Sequence, residues 1–347
     1  MSEFAFRPLP STFCLPNLTM VTSRAFTLKV NPHANSIHEK MHKWFLSFNV
    51  YDTAKALAYI DRGRFDIYAG LSFPDADVEH LETCLAFFYW AFSTDDLSDE
   101  GQLQDKPEDV KAGLDVSRHV LSDPFFEVPS QGYPHAKMLN DLYKRIRATA
   151  SPGTCKRFTR AFEQFGNSQI EQSHRRSVSK MLSVNDFILT RRATIGAALV
   201  EAMVEYSLDL DIPDYIFEDP TVVAMSEATT DIMTWPNDIC SFNKEQADGD
   251  FQNLVCCVMV ERQVELQEAI DTVIDMLNSR ISEYIGLKAQ LPSFGPKVDS
   301  ELVKYHTALE HYVQGTIVWY YLSPRYFTSQ ELVRHESVLI ELKKFSA

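Results

Sequence analysis

Apolar residues recur at helical spacing along nearly the whole chain. Leu81, Cys84, Leu85, Phe88, Phe92, Asp95, Asp96 and Asp99 follow one another in steps that place them on one face of a helix. The first acids therefore continue an apolar stripe, whereas a solvated acidic face lies opposite one. Helical patterns also cover roughly 38–62, 136–150, 155–175, 183–205, 221–246, 251–287 and 298–322. Gly, Pro and Asp gather into breaks at 101–110, 122–134, 209–215, 246–250 and 290–296. No alternating run of β-branched residues competes with helix for long, and neither an internal repeat nor a low-complexity tract interrupts the pattern. The chain reads as all-α, a single domain over 1–347 with an N-terminal segment of about 35 residues partly irregular.

Length and composition narrow the function. A chain of 347 residues, 45% hydrophobic and 23% charged, can bury a large core. A net charge of −15 with no long basic run argues against nucleic acid and anionic membranes as partners. An anionic ligand would have to be held by local Arg, Lys or metal ions. The six cysteines show no CxxC spacing, which fits free thiols in a reducing cytosol. MSEFAFRPLPSTF lacks the apolar core of a signal peptide, and no stretch of about 18 uncharged apolar residues follows. A cytoplasmic protein without membrane insertion is expected.

The acids of FSTDDLSDEGQ pose a problem of charge. Asp95, Asp96, Asp99 and Glu100 crowd into six residues behind LAFFYWAF, and carboxylates so close repel unless solvent, a proton or a cation relieves them. A second set lies in NDICSFNKE, where Asn237, Ser241 and Glu245 are spaced i, i+4 and i+8 on one helix face. These are hard oxygen donors without imidazole or thiolate, suited to Mg²⁺ or Mn²⁺. Pro236, directly before Asn237, predicts a kink or break just upstream.

An aromatic helix ending in DDLSD, NDxxSxxxE 142 residues later, and an Arg-Tyr pair in SPRYF together resemble the class I terpene synthases, most closely fungal sesquiterpene synthases. The resemblance spans most of the chain, including Phe13-Cys14-Leu15-Pro16 near the N-terminus. It implies an α-helical barrel with a central apolar cavity, at whose mouth the two acidic sets face each other and bind three Mg²⁺ around a diphosphate. By that likeness Asp95 is the principal metal ligand, with Asp96 or Asp99 as auxiliary groups. Asn237, Ser241 and Glu245 hold another Mg²⁺, and Lys244, Arg325 and Tyr326 touch the diphosphate. ILTRRATIG resembles the segment whose Arg senses the diphosphate. Counting back 46 residues from Asn237 selects Arg191, and the position of Gly196 selects Arg192.

The implied substrate is farnesyl diphosphate, released as inorganic diphosphate and a cyclic sesquiterpene hydrocarbon or alcohol. Phe88, Phe92, Phe187, Met233 and Trp319 are the candidates for the cavity wall, although aromatic residues on a helix stripe are usually ordinary core. Both a monomer and a homodimer agree with the sequence. Rival readings are a chain-elongating prenyl diphosphate synthase, an inactive synthase-like binding protein and a calcium-binding interaction module. Against the last, the position where an EF-hand loop needs Glu is Pro107.

Overall fold

The computed structural model describes residues 8–99, 107–176, 181–327 and 335–344. Its helices are α1 (Leu18–Thr22), α2 (Ala34–Ser47), α3 (Thr53–Gly63), α4 (Phe65–Ser72), α5 (Val78–Asp99), α6 (Pro107–Ser122) and α7 (Pro134–Thr149), followed by α8 (Pro152–Arg176), α9 (Val184–Thr194) and α10 (Ala197–Tyr206). The C-terminal half adds α11 (Pro220–Ala247), α12 (Leu254–Arg262), α13 (Leu266–Ala289) and α14 (Pro296–Leu322). A two-stranded antiparallel ribbon joins β1 (Thr12–Pro16) to β2 (Ser337–Glu341), with Phe13 opposite Ile340. Among the described residues no helix is long and apolar enough to cross a membrane.

Side-chain caps start several of these helices. Asp52 accepts from the Lys55 N–H at 2.9 Å to open α3, Ser183 accepts from Asp186 at 3.1 Å to open α9, and Asp219 accepts from Thr221 at 2.8 Å to open α11, where Pro220 needs no partner. The same local chemistry divides three runs that periodicity joined. The 38–62 pattern parts at Asn49, in the left-handed region, before the Asp52 cap. The 183–205 pattern parts at Gly196, whose φ of +76° costs glycine alone nothing. The 251–287 pattern parts at Gln263, φ +56°, which closes α12.

Three expectations are corrected. No break precedes Asn237: α11 runs through Pro236, and every residue from Ala228 to Pro236 is buried. Tertiary packing there outweighs the roughly 3 kcal/mol that an internal proline costs. Helices α4 and α6 were not expected, and α6 begins inside the apparent break at 101–110. The ribbon was not expected either, because each strand is short and its partner lies at the other end of the chain. Side-chain bonds anchor it: the Tyr321 hydroxyl donates to the Pro16 carbonyl at 2.6 Å, and the Asn243 amide donates to the Glu341 carbonyl at 2.9 Å.

The core holds an aromatic cluster where α4, α5 and α14 meet. Tyr68 is sandwiched between Phe88 and Trp319, with centroids 4.0 and 4.1 Å away and rings within 8° of parallel. Close approach of α4 to α14 requires glycine at 315, since a Cβ there would stand 2.4 Å from the Leu71 carbonyl oxygen.

Candidate active site

An internal cavity of about 260 Å³ opens beside this cluster. Helix α5 carries its stripe along one wall: Phe88 and Phe92 lie deep, and Asp95 and Asp96 stand at the mouth one turn after Phe92. Helix α11 brings Met233, Asn237, Ser241, Lys244 and Glu245 to the same cavity, and Trp319 from α14 joins Arg325 and Tyr326 just beyond it. The side chain of Asp99 lies outside the described residues. Thus residues far apart in sequence converge on one space with an aromatic floor and a charged rim.

The rim is held by a few specific bonds. Arg325 forks onto Asp96, with its two Nη atoms 3.1 and 2.8 Å from the carboxylate oxygens, and its guanidinium lies 5.3 Å from the centroid of the Phe92 ring. Arg191 donates to Asp238 Oδ1 at 3.2 and 3.1 Å and to Asn237 Oδ1 at 3.0 Å. The Asn237 amide donates in turn to the Tyr326 hydroxyl at 3.1 Å. Burial opposes the Arg191 charge, yet the carboxylates of Asp238, Glu245 and Asp95 hold its pKa above the ordinary arginine value. That Asp95 of α5 and Glu245 of α11 both act on one guanidinium means that the two acidic sets face each other.

Ser241 and Glu245 test whether these residues fit a metal. Ser241 Oγ is buried without a hydrogen-bond partner among the described residues, a costly state for a hydroxyl. Burial pushes the Glu245 carboxyl up to about 7, with Asp238 adding to the rise and Arg191 and the Asn253 amide opposing it. A divalent cation at this position would give the hydroxyl a partner and favour the charged carboxylate. The donors on α11 are oxygens only, the set that hard cations take. No group of three or more His, Cys, Asp or Glu stands ready as a cage among the described residues, so any metal here would draw on the Asn and Ser oxygens as well. The residues fit a divalent metal.

Two expected site residues do not reach this cavity. Arg192 turns away from the cavity to an earlier part of α11, where its Nε and Nη2 donate to Asp231 at 2.8 and 2.6 Å and its Nη1 donates to Glu227 at 2.8 Å. Successive residues on a helix point about 100° apart, so only one of the pair can face inward, and it is Arg191. Phe187, one turn before Arg191 on α9, is buried within the packing of that helix and is absent from the cavity wall.

Other residues enter the site unannounced. Asp238, 1% exposed in its side chain, anchors Arg191, and Asn253 holds Glu245 Oε2 at 2.8 Å while its side-chain oxygen caps α12. Tyr68 lines the cavity, and its hydroxyl bonds those of Tyr312 at 2.8 Å and Thr316 at 3.0 Å. Asp248 and Asp250, in the break at 246–250, also reach the rim. Asp238 was within view, being part of the NDICSFNKE run; Tyr68 and Asn253 carry no local signal.

Comparisons with known proteins agree with this geometry. A family model described as "Terpene synthase family 2, C-terminal metal binding" matches residues 86–283. A sesquiterpene synthase of Cyclocybe aegerita is 32% identical over 345 residues, covering 94% of each chain. An alpha-muurolene synthase of Coprinopsis cinerea is 30% identical, covering 95% of this chain and 78% of its own. Among solved structures, germacradien-4-ol synthase from Streptomyces citricolor superposes with a TM-score of 0.74 at 20% identity, over 92% of this chain and 99% of the other. This last likeness is one of fold.

Proposed function

The chain belongs to the terpene synthase family, and from that premise we propose that it is a Mg²⁺-dependent sesquiterpene cyclase acting on farnesyl diphosphate, with 1–347 as one synthase domain. The family relation itself establishes a lyase that acts on a prenyl diphosphate and uses a divalent metal. The observation that carries the finer reading is the single cavity with a rim of Asp95, Asp96, Arg191, Asn237, Ser241, Glu245 and Arg325 above a floor of Phe88, Phe92, Tyr68 and Trp319. Such a space suits a substrate that is an anion at one end and a hydrocarbon along the rest.

In this reading Asp95, with Asp96 as auxiliary, and Asn237, Ser241 and Glu245 would hold the Mg²⁺ ions, three by analogy with the family. When bound, these ions supply positive charge against the diphosphate, which makes it a better leaving group. Arg191, Arg325, Lys244 and the Tyr326 hydroxyl then bind diphosphate oxygens, and the planar guanidinium forks suit paired oxygens. The allylic C1–O bond breaks with its electron pair leaving on the diphosphate, so no nucleophilic side chain is required. Donors already aimed at the rim stabilise the charge that develops there.

The floor governs the fate of the cation. An allylic cation in water is quenched at once, so the buried aromatic wall must exclude solvent and hold the chain in a reactive fold. Each desolvated ring face stabilises passing positive charge by about 0.5 to 2 kcal/mol. Tyr68 is covered on both faces by Phe88 and Trp319, so its part is to hold those two rings in place relative to the cation.

The test is incubation of the purified protein with farnesyl diphosphate, with and without Mg²⁺, reading released diphosphate and volatile products by gas chromatography with mass spectrometry. Mg²⁺-dependent cyclic fifteen-carbon products are expected. Inertness toward farnesyl, geranyl and geranylgeranyl diphosphates alike would overturn the reading.

A further inference from the structure

The pair Arg191-Arg192 spans two turns of α11. Arg191 grips Asn237 and Asp238 at the cavity rim, and Arg192 grips Asp231 and Glu227 two to three turns earlier, outside the cavity, where a separate open cavity of about 720 Å³ adjoins Leu189, Arg192, Asp231, Trp235 and Arg280. Asp231 and Asp238 lie seven residues apart on α11, or about 10.5 Å along its axis. Two adjacent side chains of α9 therefore hold α11 at two separated points, and this fixes both the rotation and the axial position of the last turn of α9.

The outer grip is built as an anchor. Asp231 is 2% exposed and receives Arg192 through both carboxylate oxygens. Arg280 of α13 completes the cluster: its Nε lies 2.9 Å from Asp231 Oδ2, as an ion pair with the N–H angled away from a hydrogen bond, and its Nη1 pairs with Glu283 at 2.6 Å. Three helices thus meet at one buried carboxylate. None of these groups reaches the aromatic cavity, so the cluster can influence the reaction only through what it positions.

We propose that Arg192 is a positioning residue: locked by Asp231 and Glu227, it sets the reach of Arg191 to the diphosphate. This rests on the synthase reading above. A guanidinium free to shift by about 1 Å would lose much of its value in the ionisation step, for which misplacement of that size costs on the order of 10²-fold.

The experiment compares wild type, Arg191→Gln, Arg192→Gln, Arg192→Lys and Glu227→Gln in the full chain. One readout is the rise in melting temperature on adding Mg²⁺ with inorganic diphosphate, which tracks binding by mass action. The others are kcat and KM with farnesyl diphosphate and the ratio of cyclic to acyclic products. Arg192→Gln is expected to lose most of the diphosphate-induced rise, as Arg191→Gln does, with kcat/KM down about 10- to 100-fold and the acyclic share increased. Arg192→Lys, which keeps the charge but not the fork, should recover part of each. Glu227→Gln, at a half-exposed partner, should shift the same quantities slightly in the same direction.

A wild-type response in Arg192→Gln, with only its baseline melting temperature lowered, would overturn the positioning role alone. Should Arg192→Gln fail to fold, a wild-type response in both Arg192→Lys and Glu227→Gln overturns it equally. A wild type that neither responds to diphosphate nor turns over farnesyl diphosphate would overturn the synthase reading, and the positioning role with it.

Discussion

Arg325 and Asp96 form a two-pronged ion pair across 229 positions of sequence, joining the segment after α14 to the mouth of α5. Both side chains are mostly buried, at 20% and 17% exposure. Arg325→Gln should lower kcat/KM about 10²- to 10³-fold, the range for losing one preorganised donor. It should also destabilise the protein in the absence of metal, because Asp96 is left without its partner. Steady-state kinetics and thermal unfolding of the same preparation check both effects. Unchanged turnover would remove Arg325 from the diphosphate site.

Ser241→Ala separates binding from folding. The hydroxyl has no hydrogen-bond partner among the described residues, so its removal should leave the melting temperature unchanged or raise it, relieving a cost of about 1 to 3 kcal/mol. The Mg²⁺ concentration for half-maximal turnover should nevertheless increase. A fall in stability with no change in Mg²⁺ dependence would show that the hydroxyl serves the core.

Tyr68 offers a test of the cavity floor. Tyr68→Phe keeps the ring between Phe88 and Trp319 and removes only the bonds to Tyr312 and Thr316, so the product profile should persist at a stability cost of about 1 kcal/mol. Tyr68→Leu removes the middle ring and should redistribute products at similar diphosphate release. Gas chromatography of the two variants against wild type decides the matter.

Glu201 gives the pH dependence of stability a definite sign. Burial pushes its carboxyl up from 4.5 to about 7, against the hydrogen bond donated by Ser226. Between those values the folded protein keeps a proton that the unfolded chain has released. The stabilisation from protonated Glu201 is thus complete below about pH 4.5 and is lost as pH rises through 7. His306 acts oppositely, since burial lowers it to about 4 and folding then disfavours its protonation in acid. The informative quantity is therefore the melting temperature of Glu201→Gln minus that of wild type, which should increase from pH 5 to pH 8. A flat difference would show that Glu201 ionises alike in both states.

Periodicity and donor chemistry were legible in the sequence. The apolar stripe from Leu81 to Phe92 ends in acids because the same helix face passes from the core to the mouth, and the i, i+4, i+8 spacing of Asn237, Ser241 and Glu245 places three oxygens on one side of α11 whatever that helix packs against. These are consequences of 3.6 residues per turn, and a sequence carries them directly. Which way α9 rotates is different. Arg191 and Arg192 are equivalent until α11 supplies Asp238 at the cavity and Asp231 two turns away from it, and only then does one face the cavity while its neighbour becomes an anchor. Tyr68, Asn253 and the ribbon of β1 with β2 likewise owe their places to partners distant in the chain. Local pattern determines which side chains share a face, but the burial and partners of that face belong to the packed whole.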